Sequence, residues 1–279
     1  MSQKRIAAIH DISGFGKCSL TVALPICSAA GIETCVIPTA ILSTHTGGFK
    51  NFTFRDLTDD ILPIAEHWAS LGLSFDAFYT GYLGSKQQIK IVMSAIEKLK
   101  GEKTLFVCDP AMADHGKLYV GFSKGFPKEM AKLCSMADII VPNITEAVMM
   151  LGLEYIEGPY TKEYIEELIV KLYELTGSQI VLTGVYFEGK RLGAACYDGE
   201  KVSYVMSERI DVMFHGTGDV FASALTSAIL NGRNLVSAAE IAVNFTCASI
   251  KATLRDDPER RYGVNFETEL PALIKLLGL

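Results

Sequence analysis

The sequence has no CxxC pair, no long run of basic residues and no low-complexity linker. Its seven cysteines are scattered, so neither a zinc cluster nor a disulfide framework is indicated. The net charge of -6 argues against nucleic acid as a partner, although a small anion remains possible. The early polar residues do not resemble a signal peptide, and we expect no apolar run long enough to cross a bilayer. We therefore expect a cytoplasmic protein without a membrane partner.

The 279 residues are 49% apolar, which is enough to bury a large core, and one α/β domain over 1–279 is the simplest organisation. Short β-branched runs alternate with helical periodicity, which indicates a mostly parallel central sheet with helices on both faces. We predict strands at 5–10, 34–39, 77–80, 104–108, 138–141 and 179–183, and a late hairpin that turns at 198–199. We predict helices at 19–30, 57–70, 85–98, 125–135, 145–151, 162–175, 219–231, 236–254 and 267–276.

The segment 41–56, ILSTHTGGFKNFTFRD, interrupts this alternation with paired glycines and aromatics, and it predicts a small flap. In an open α/β sheet, ligands bind beyond the carboxyl ends of the strands. The residues expected there are Asp11, 43–47, Gly81, Tyr82, Asp109, 143–146, Thr183, Gly184 and Asp219.

The segment HDISGFGKCSL satisfies neither of two familiar glycine motifs. A Walker A loop would need glycine at Asp11 and a hydroxyl residue at Cys18. The dinucleotide fingerprint would need a third glycine at Ser19. What remains is a flexible turn that suits close approach by a ligand, with Asp11 and Ser13 as candidate substrate-binding residues.

Two acids follow different predicted strands and have ordinary explanations when each is taken alone. Asp109 precedes a proline, as in a turn, and Asn143 with Glu146 has the spacing of a capping box. Because strand ends meet at one rim, Asp109 and Glu146 could also hold Mg²⁺ against substrate phosphates.

The segment FHGTGDVFA places Asp219 at the start of a predicted helix. An acid in a first helical turn contributes about 0.3–1 kcal/mol, which explains the acid but not the flanking glycines. Glycines expose N–H groups to an anion, and a carboxylate among them would need a proton to accept or a metal to face. We favour a catalytic Asp219. For His45, His115 and His215, hydrogen-bonded structural roles are expected, and Cys18 is expected to pack rather than react.

The motifs STHTGG (43–48), TGYLGS (80–85), DPAMAD (109–114), PNITEA (142–147) and GTGDVFASAL (216–225) occur in this order. In these motifs the chain resembles the ribokinase superfamily, in its vitamin-kinase branch, and most closely the pyridoxal and pyridoxamine kinases. The resemblance implies phosphorylation of a B6 vitamer with ATP and Mg²⁺, and relatives are commonly homodimers.

The resemblance also implies roles for single residues. Asp219 matches the general base, and Gly216, Thr217 and Gly218 match the anion hole for the transferring phosphoryl group. Asp109 and Glu146 match acids of the nucleotide and metal site, Asp114 resembles a further acid near the phosphates, and Asn143 and Thr183 are taken as nucleotide-binding. Thr46, Gly47 and Tyr82 match positions around the pyridine ring.

Two positions depart from this pattern. Many pyridoxal kinases have serine where Asp11 stands, and the DISGFG turn is also similar to that of hydroxymethylpyrimidine kinases. Hydroxymethylpyrimidine kinase activity is therefore an alternative, alone or as a second activity, and a non-catalytic vitamin-binding protein is another. Several relatives have lysine at the position of Thr183, so another residue or a monovalent cation could supply the missing charge.

Overall fold

The computed structural model describes residues 3–260 and 262–279. One sheet has the strand order β11-β10-β9-β8-β5-β4-β1-β2-β3, with a separate hairpin of β6 and β7. The pairs from β2 through β1, β4, β5 and β8 to β9 are parallel, whereas β2 with β3, β9 with β10, and β10 with β11 are antiparallel. The strands are β1 (Arg5–Phe15), β2 (Glu33–Thr44), β3 (Phe54–Asp56), β4 (Ala77–Thr80), β5 (Leu105–Cys108), β6 (Ala113–Asp114), β7 (Lys117–Leu118), β8 (Ile139–Ile140), β9 (Gln179–Tyr186), β10 (Arg191–Tyr197) and β11 (Val202–Glu208).

The helices cover both faces of the sheet, as predicted for a ribokinase-like α/β fold. They are α1 (Leu20–Ala29), α2 (Thr58–Ser70), α3 (Lys86–Leu99), α4 (Phe126–Cys134), α5 (Ile144–Leu151), α6 (Lys162–Thr176), α7 (Thr217–Leu230), α8 (Leu235–Asp256) and α9 (Leu270–Leu277). Side-chain caps begin several of them: Ser85, Thr161 and Asn234 accept hydrogen bonds from main-chain amides of α3, α6 and α8. One apolar core lies between the sheet and α2 to α6, and the other between the sheet and α1, α7, α8 and α9.

Three strands, β1, β2 and β9, are longer than predicted. The turn expected after His10 is strand instead, because β1 pairs with β2 as far as Phe15, and β9 continues through Gly184. A register shift lies opposite Asp11, and a bulge lies at Gly184. A bulge interrupts pairing without ending the strand, which explains why glycine and polar residues appeared to be strand ends. The last predicted helix begins with a short 3-10 turn, Glu267–Glu269.

The predicted flap is present as a hairpin at one edge of the sheet. In it β3 pairs with the end of β2, with Ala40 opposite Asp56 and Leu42 opposite Phe54. The strands at 33–44 and 54–56 leave a short irregular loop between them, and this loop faces the residues before α7 through Gly47.

The expectation about apolar runs was wrong by length and composition. Helix α8 has a mean hydropathy of 1.2 over an 18-residue window, which is long and apolar enough to span a bilayer. Half of that window is buried inside the protein, as in the core helix of a folded domain. This helix is therefore weak support for any membrane role.

Candidate active site

The loop that enters α7 leaves its first N–H groups available. Gly216 precedes the helix with a left-handed φ of 77°, and among the described residues no side chain caps this end. A Cβ on Gly216 would stand 1.8 Å from the Lys17 carbonyl oxygen, so close packing requires glycine here. A Cβ on Gly218 would meet no described atom within 4 Å, so this glycine faces open space. The arrangement suits an anion held by main-chain amides.

Asp219 lies in the first turn of α7 and is half-buried. The surrounding protein raises the pKa of its carboxyl to about 7, mainly through burial. The main-chain N–H of Ser19 lies close enough to lower this pKa and so opposes the shift, whereas the charge of Asp11 adds to it. A pKa near neutrality is the value at which a carboxylate works best as a general base.

Strand β1 contributes Asp11, whose charge acts on Asp219, and Ser13. Asp11 is 4% exposed and Ser13 is fully buried, and the Ser13 hydroxyl donates to Asp11 Oδ2 at 3.2 Å. Burial raises the pKa of Asp11. These two predicted substrate-binding residues therefore form one buried, hydrogen-bonded pair.

Tyr82 forms an aromatic wall after β4. Its ring stacks on Phe122 at 5.4 Å, and Phe122 stacks on Phe126 at 3.9 Å. Burial first, and then the charge of Asp11, raise the pKa of Tyr82 to about 12, so the hydroxyl stays neutral. The preceding Gly81 is required because a Cβ there would lie 2.5 Å from the His10 ring.

The flap loop contacts the segment before the anion hole. Thr46 is exposed, and Gly47 donates its N–H to His45 Nδ1 at 3.1 Å. The other ring nitrogen of His45 donates to the Tyr262 carbonyl oxygen at 3.1 Å, which fixes a neutral tautomer. The ring of His215 lies 5.1 Å from that of His45 and would be 2.5 Å from a Cβ on Gly47. His45 has the structural contacts expected for it, and His215 packs between the flap and Gly216.

Asp109 directly follows β5, and Glu146 lies in α5. Both are buried, and burial raises the pKa of each; the neighbouring Glu146 and Asp219 raise that of Asp109 further. Glu146 accepts from the amides of Met112 at 3.0 Å and Asn143 at 2.9 Å, completing a capping box. Its oxygens therefore have the capping contacts that the ordinary explanation requires.

The carboxylates fit Mg²⁺ in its usual protein setting. The described residues hold no group of three or more metal-binding side chains close enough to form a site unaided. Mg²⁺ is usually held by one or two carboxylates with waters and substrate phosphates, and Asp109 with the neighbouring Glu146 meets that requirement. Oxygen donors alone are also the set that this hard cation prefers.

The remaining predicted nucleotide residues lie around this group. Asn143 caps α5 and donates to the Ala113 carbonyl oxygen at 2.8 Å, so both ends of its amide are engaged. Asp114 is exposed and accepts from the amide of His115 at 2.8 Å. Thr183 was predicted at a strand end, and this was wrong: it lies inside β9 beside the bulge, where it forms a parallel β-bridge with Asn143.

Three contributors to the site were missed from the sequence. Ser19 has a left-handed φ of 50°, unusual for a residue with a side chain, and its amide faces Asp219. Lys17 packs its main chain on Gly216. Burial, and then the charges of nearby Glu146, Asp114, Asp109 and Asp219, raise the pKa of Tyr119. Only the closeness of Ser19 to a glycine-rich turn hinted at any of these.

The sheet, the rim of carboxylates and the glycine-rich entry to α7 together define a ribokinase-like α/β protein, as the resemblance implied. The model of the phosphomethylpyrimidine kinase family matches residues 24–261, and the chain belongs to this family.

Several relatives are similar over different shares of their length. A candidate phosphomethylpyrimidine kinase from Bacteroides thetaiotaomicron, crystallised with pyridoxal, is 36% identical, with a TM-score of 0.92 over 98% of this chain and 96% of that one. Pyridoxal kinase from Lactobacillus plantarum is 29% identical, with a TM-score of 0.90 over 99% and 98%. An Arabidopsis thaliana pyridoxal kinase is 31% identical over 63% of this chain, and the match spans only 58% of the Arabidopsis protein.

Proposed function

We propose that this protein is a kinase that transfers the γ-phosphoryl group of ATP to the 5′-hydroxymethyl group of pyridoxal, pyridoxamine or pyridoxine, with Mg²⁺. The observation that carries the proposal is Asp219, with a pKa of about 7, beside uncapped amides at the start of α7. Relatives named pyridoxal kinase, and a similar structure crystallised with pyridoxal, support the choice of substrate.

The residues divide the chemistry between them. Asp219 accepts the proton of the substrate hydroxyl while the hydroxyl oxygen attacks the γ-phosphorus of ATP. The amides of Gly216, Thr217 and Gly218 stabilise the charge on the transferring phosphoryl group. Asp109 and Glu146 would hold Mg²⁺, which neutralises phosphate charge when bound. Asp114, Asn143 and Thr183 would contact the nucleotide.

The vitamer would lie between the flap and the sheet. Tyr82 supplies an aromatic wall, Asp11 and Ser13 supply the buried pair, and Thr46 and Gly47 would close over the ring from the flap loop. Packing of His215 against Gly47 joins that loop to the anion hole, so flap position and phosphoryl binding are expected to be coupled.

The family description favours a second candidate, the phosphorylation of hydroxymethylpyrimidine. A coupled assay of ADP release separates the two when pyridoxal, pyridoxamine, pyridoxine and hydroxymethylpyrimidine are compared. We expect a higher kcat/KM for a B6 vitamer; a preference for the pyrimidine by more than about tenfold would reverse the assignment. No ADP release with any of them would favour a non-catalytic binding protein.

We also propose one kinase domain over 1–279, a cytoplasmic location and a homodimer. Phe54, which lies in the edge strand of the flap opposite Leu42, is 49% exposed, and an exposed apolar side chain on an unpaired edge strand suits contact with a second copy of the chain. Light scattering after gel filtration would test the dimer, and a monomeric mass would refute it.

A further inference from the structure

Asp11 is a buried carboxylate with an unused oxygen. It is 4% exposed, and over residues 3–260 and 262–279 its Oδ1 has no hydrogen-bond partner. Ser13 serves only Oδ2. The Ser19 hydroxyl lies near enough to lower the pKa of Asp11 but outside hydrogen-bond geometry to Oδ1. One acceptor position therefore remains open.

Within residues 3–260 and 262–279, no positive charge is recorded against Asp11. The titratable groups that face it are the thiol of Cys18, the carboxyl of Asp219 and the phenol of Tyr82. The adjacent His10 is neutral, because burial lowers its pKa to about 3. None of the ion pairs recorded for the described residues includes Asp11. Buried carboxylates are normally paired with a cation or a hydrogen-bond donor. Asp11 has no cation of this kind among the described residues, and a bound ligand could supply one.

Its position indicates which part of a ligand would bring that cation. Asp11 influences both Tyr82, the proposed ring wall, and Asp219, the proposed base. In a B6 vitamer a single ring carbon separates the basic nitrogen from the carbon that bears the hydroxymethyl group. Two neighbouring carboxylates can therefore reach the nitrogen and the hydroxyl at the same time.

We propose that Asp11 accepts a hydrogen bond from the protonated ring nitrogen of the bound vitamer, and that it thereby selects substrates with a basic ring nitrogen. The inference rests on the proposed function and adds the charge state of the substrate. An aspartate paired with a pyridinium nitrogen is a recurrent arrangement where proteins bind this ring as a cofactor. Asp11 is thus a specificity residue rather than a participant in phosphoryl transfer.

The first test is spectroscopic and needs no turnover. The near-ultraviolet absorption of pyridoxine differs between protonated and neutral ring nitrogen, so a pH titration of the saturated complex gives the pKa of that nitrogen. Asp11 should raise it by about 1–3 units relative to free pyridoxine. Asp11→Asn and Asp11→Ser should restore the free value, whereas Tyr82→Phe, which keeps the carboxylate, should retain the raised one.

The second test leaves the protein unchanged. A benzene isostere of pyridoxine, with CH in place of the ring nitrogen, should bind the parent roughly 10- to 100-fold more weakly than pyridoxine, as for a lost charged hydrogen bond. In Asp11→Asn the two ligands should differ by less than about threefold. This comparison also decides the matter if either variant at Asp11 fails to fold.

The outcomes separate this inference from the proposed function. If the parent releases ADP with B6 vitamers but the bound nitrogen titrates as in solution, or the isostere binds equally well, the inference fails and the kinase stands. If no vitamer supports ADP release while pyridoxine binds with a raised nitrogen pKa, the kinase assignment fails and the recognition by Asp11 stands.

Discussion

Replacement of Asp219 by asparagine distinguishes a general base from a helix-stabilising acid. Asparagine keeps the shape and can still stabilise the first turn of α7, an effect of about 1 kcal/mol. Loss of a positioned proton acceptor costs roughly 10²–10⁴-fold in kcat. We therefore expect Asp219→Asn to fold and bind ATP but to lose at least about a hundredfold in kcat, measured as steady-state ADP release with saturating pyridoxal.

The pH dependence gives the same prediction a second readout. With a pKa of about 7, Asp219 is the active carboxylate only above that pH, so kcat/KM of the parent should fall below it. Because the folded pKa lies above the unfolded value, ionisation of Asp219 removes stability as the pH rises from about 4 to 7. The asparagine variant should lack that decline in thermal melts.

The matched control is Asp211→Asn, which removes an exposed acid paired with Arg209 in the loop before α7. It should leave both activity and the pH profile unchanged. If Asp219→Asn folds, binds ATP and keeps kcat within tenfold of the parent, Asp219 is not the base, and the loop is a phosphate cradle with a stabilising acid.

Three further substitutions test neighbouring parts of the site. Gly218→Ala fills open space and suits a helix, so it should leave the Tm unchanged but lower kcat by obstructing the phosphoryl group. Gly216→Ala clashes with the Lys17 carbonyl oxygen and should lower both the Tm and kcat. Equal activity in the parent and Gly218→Ala would show that these amides do not form an anion hole. Glu146→Ala should lower the Tm through loss of the cap, and it should lower kcat at every Mg²⁺ concentration through loss of a metal ligand. A lower Tm with an unchanged kcat would show that Glu146 serves only as the cap. Ser19→Gly should raise the Tm by relieving a left-handed φ and retain activity through the unchanged amide, and a fall in kcat would show that the hydroxyl matters.

The sequence predicted the architecture because its local signals agree with the fold. Alternating apolar runs predicted the sheet and helices, with ends mostly within two residues. The strand ends failed at Asp11 and Thr183 because a bulge and a register shift depend on pairing with a neighbouring strand, which local sequence does not encode.

The site could be predicted only in part, for the same reason. Asp219 and its glycines were visible because they are contiguous. The amide of Ser19 and the packing of Lys17 on Gly216 were not visible, since about 200 residues separate them from α7 and only tertiary structure joins them.

The most direct test of the account is identification of the product. Parent protein, pyridoxal, ATP and Mg²⁺ are incubated, and the product is examined by mass spectrometry and phosphorus NMR. The account predicts pyridoxal carrying one phosphate ester on its 5′-hydroxymethyl oxygen, formed with one ADP and at least a hundredfold more slowly by Asp219→Asn. Phosphate at another position, ADP formed without a phosphorylated vitamer, or equal product from both proteins would contradict it.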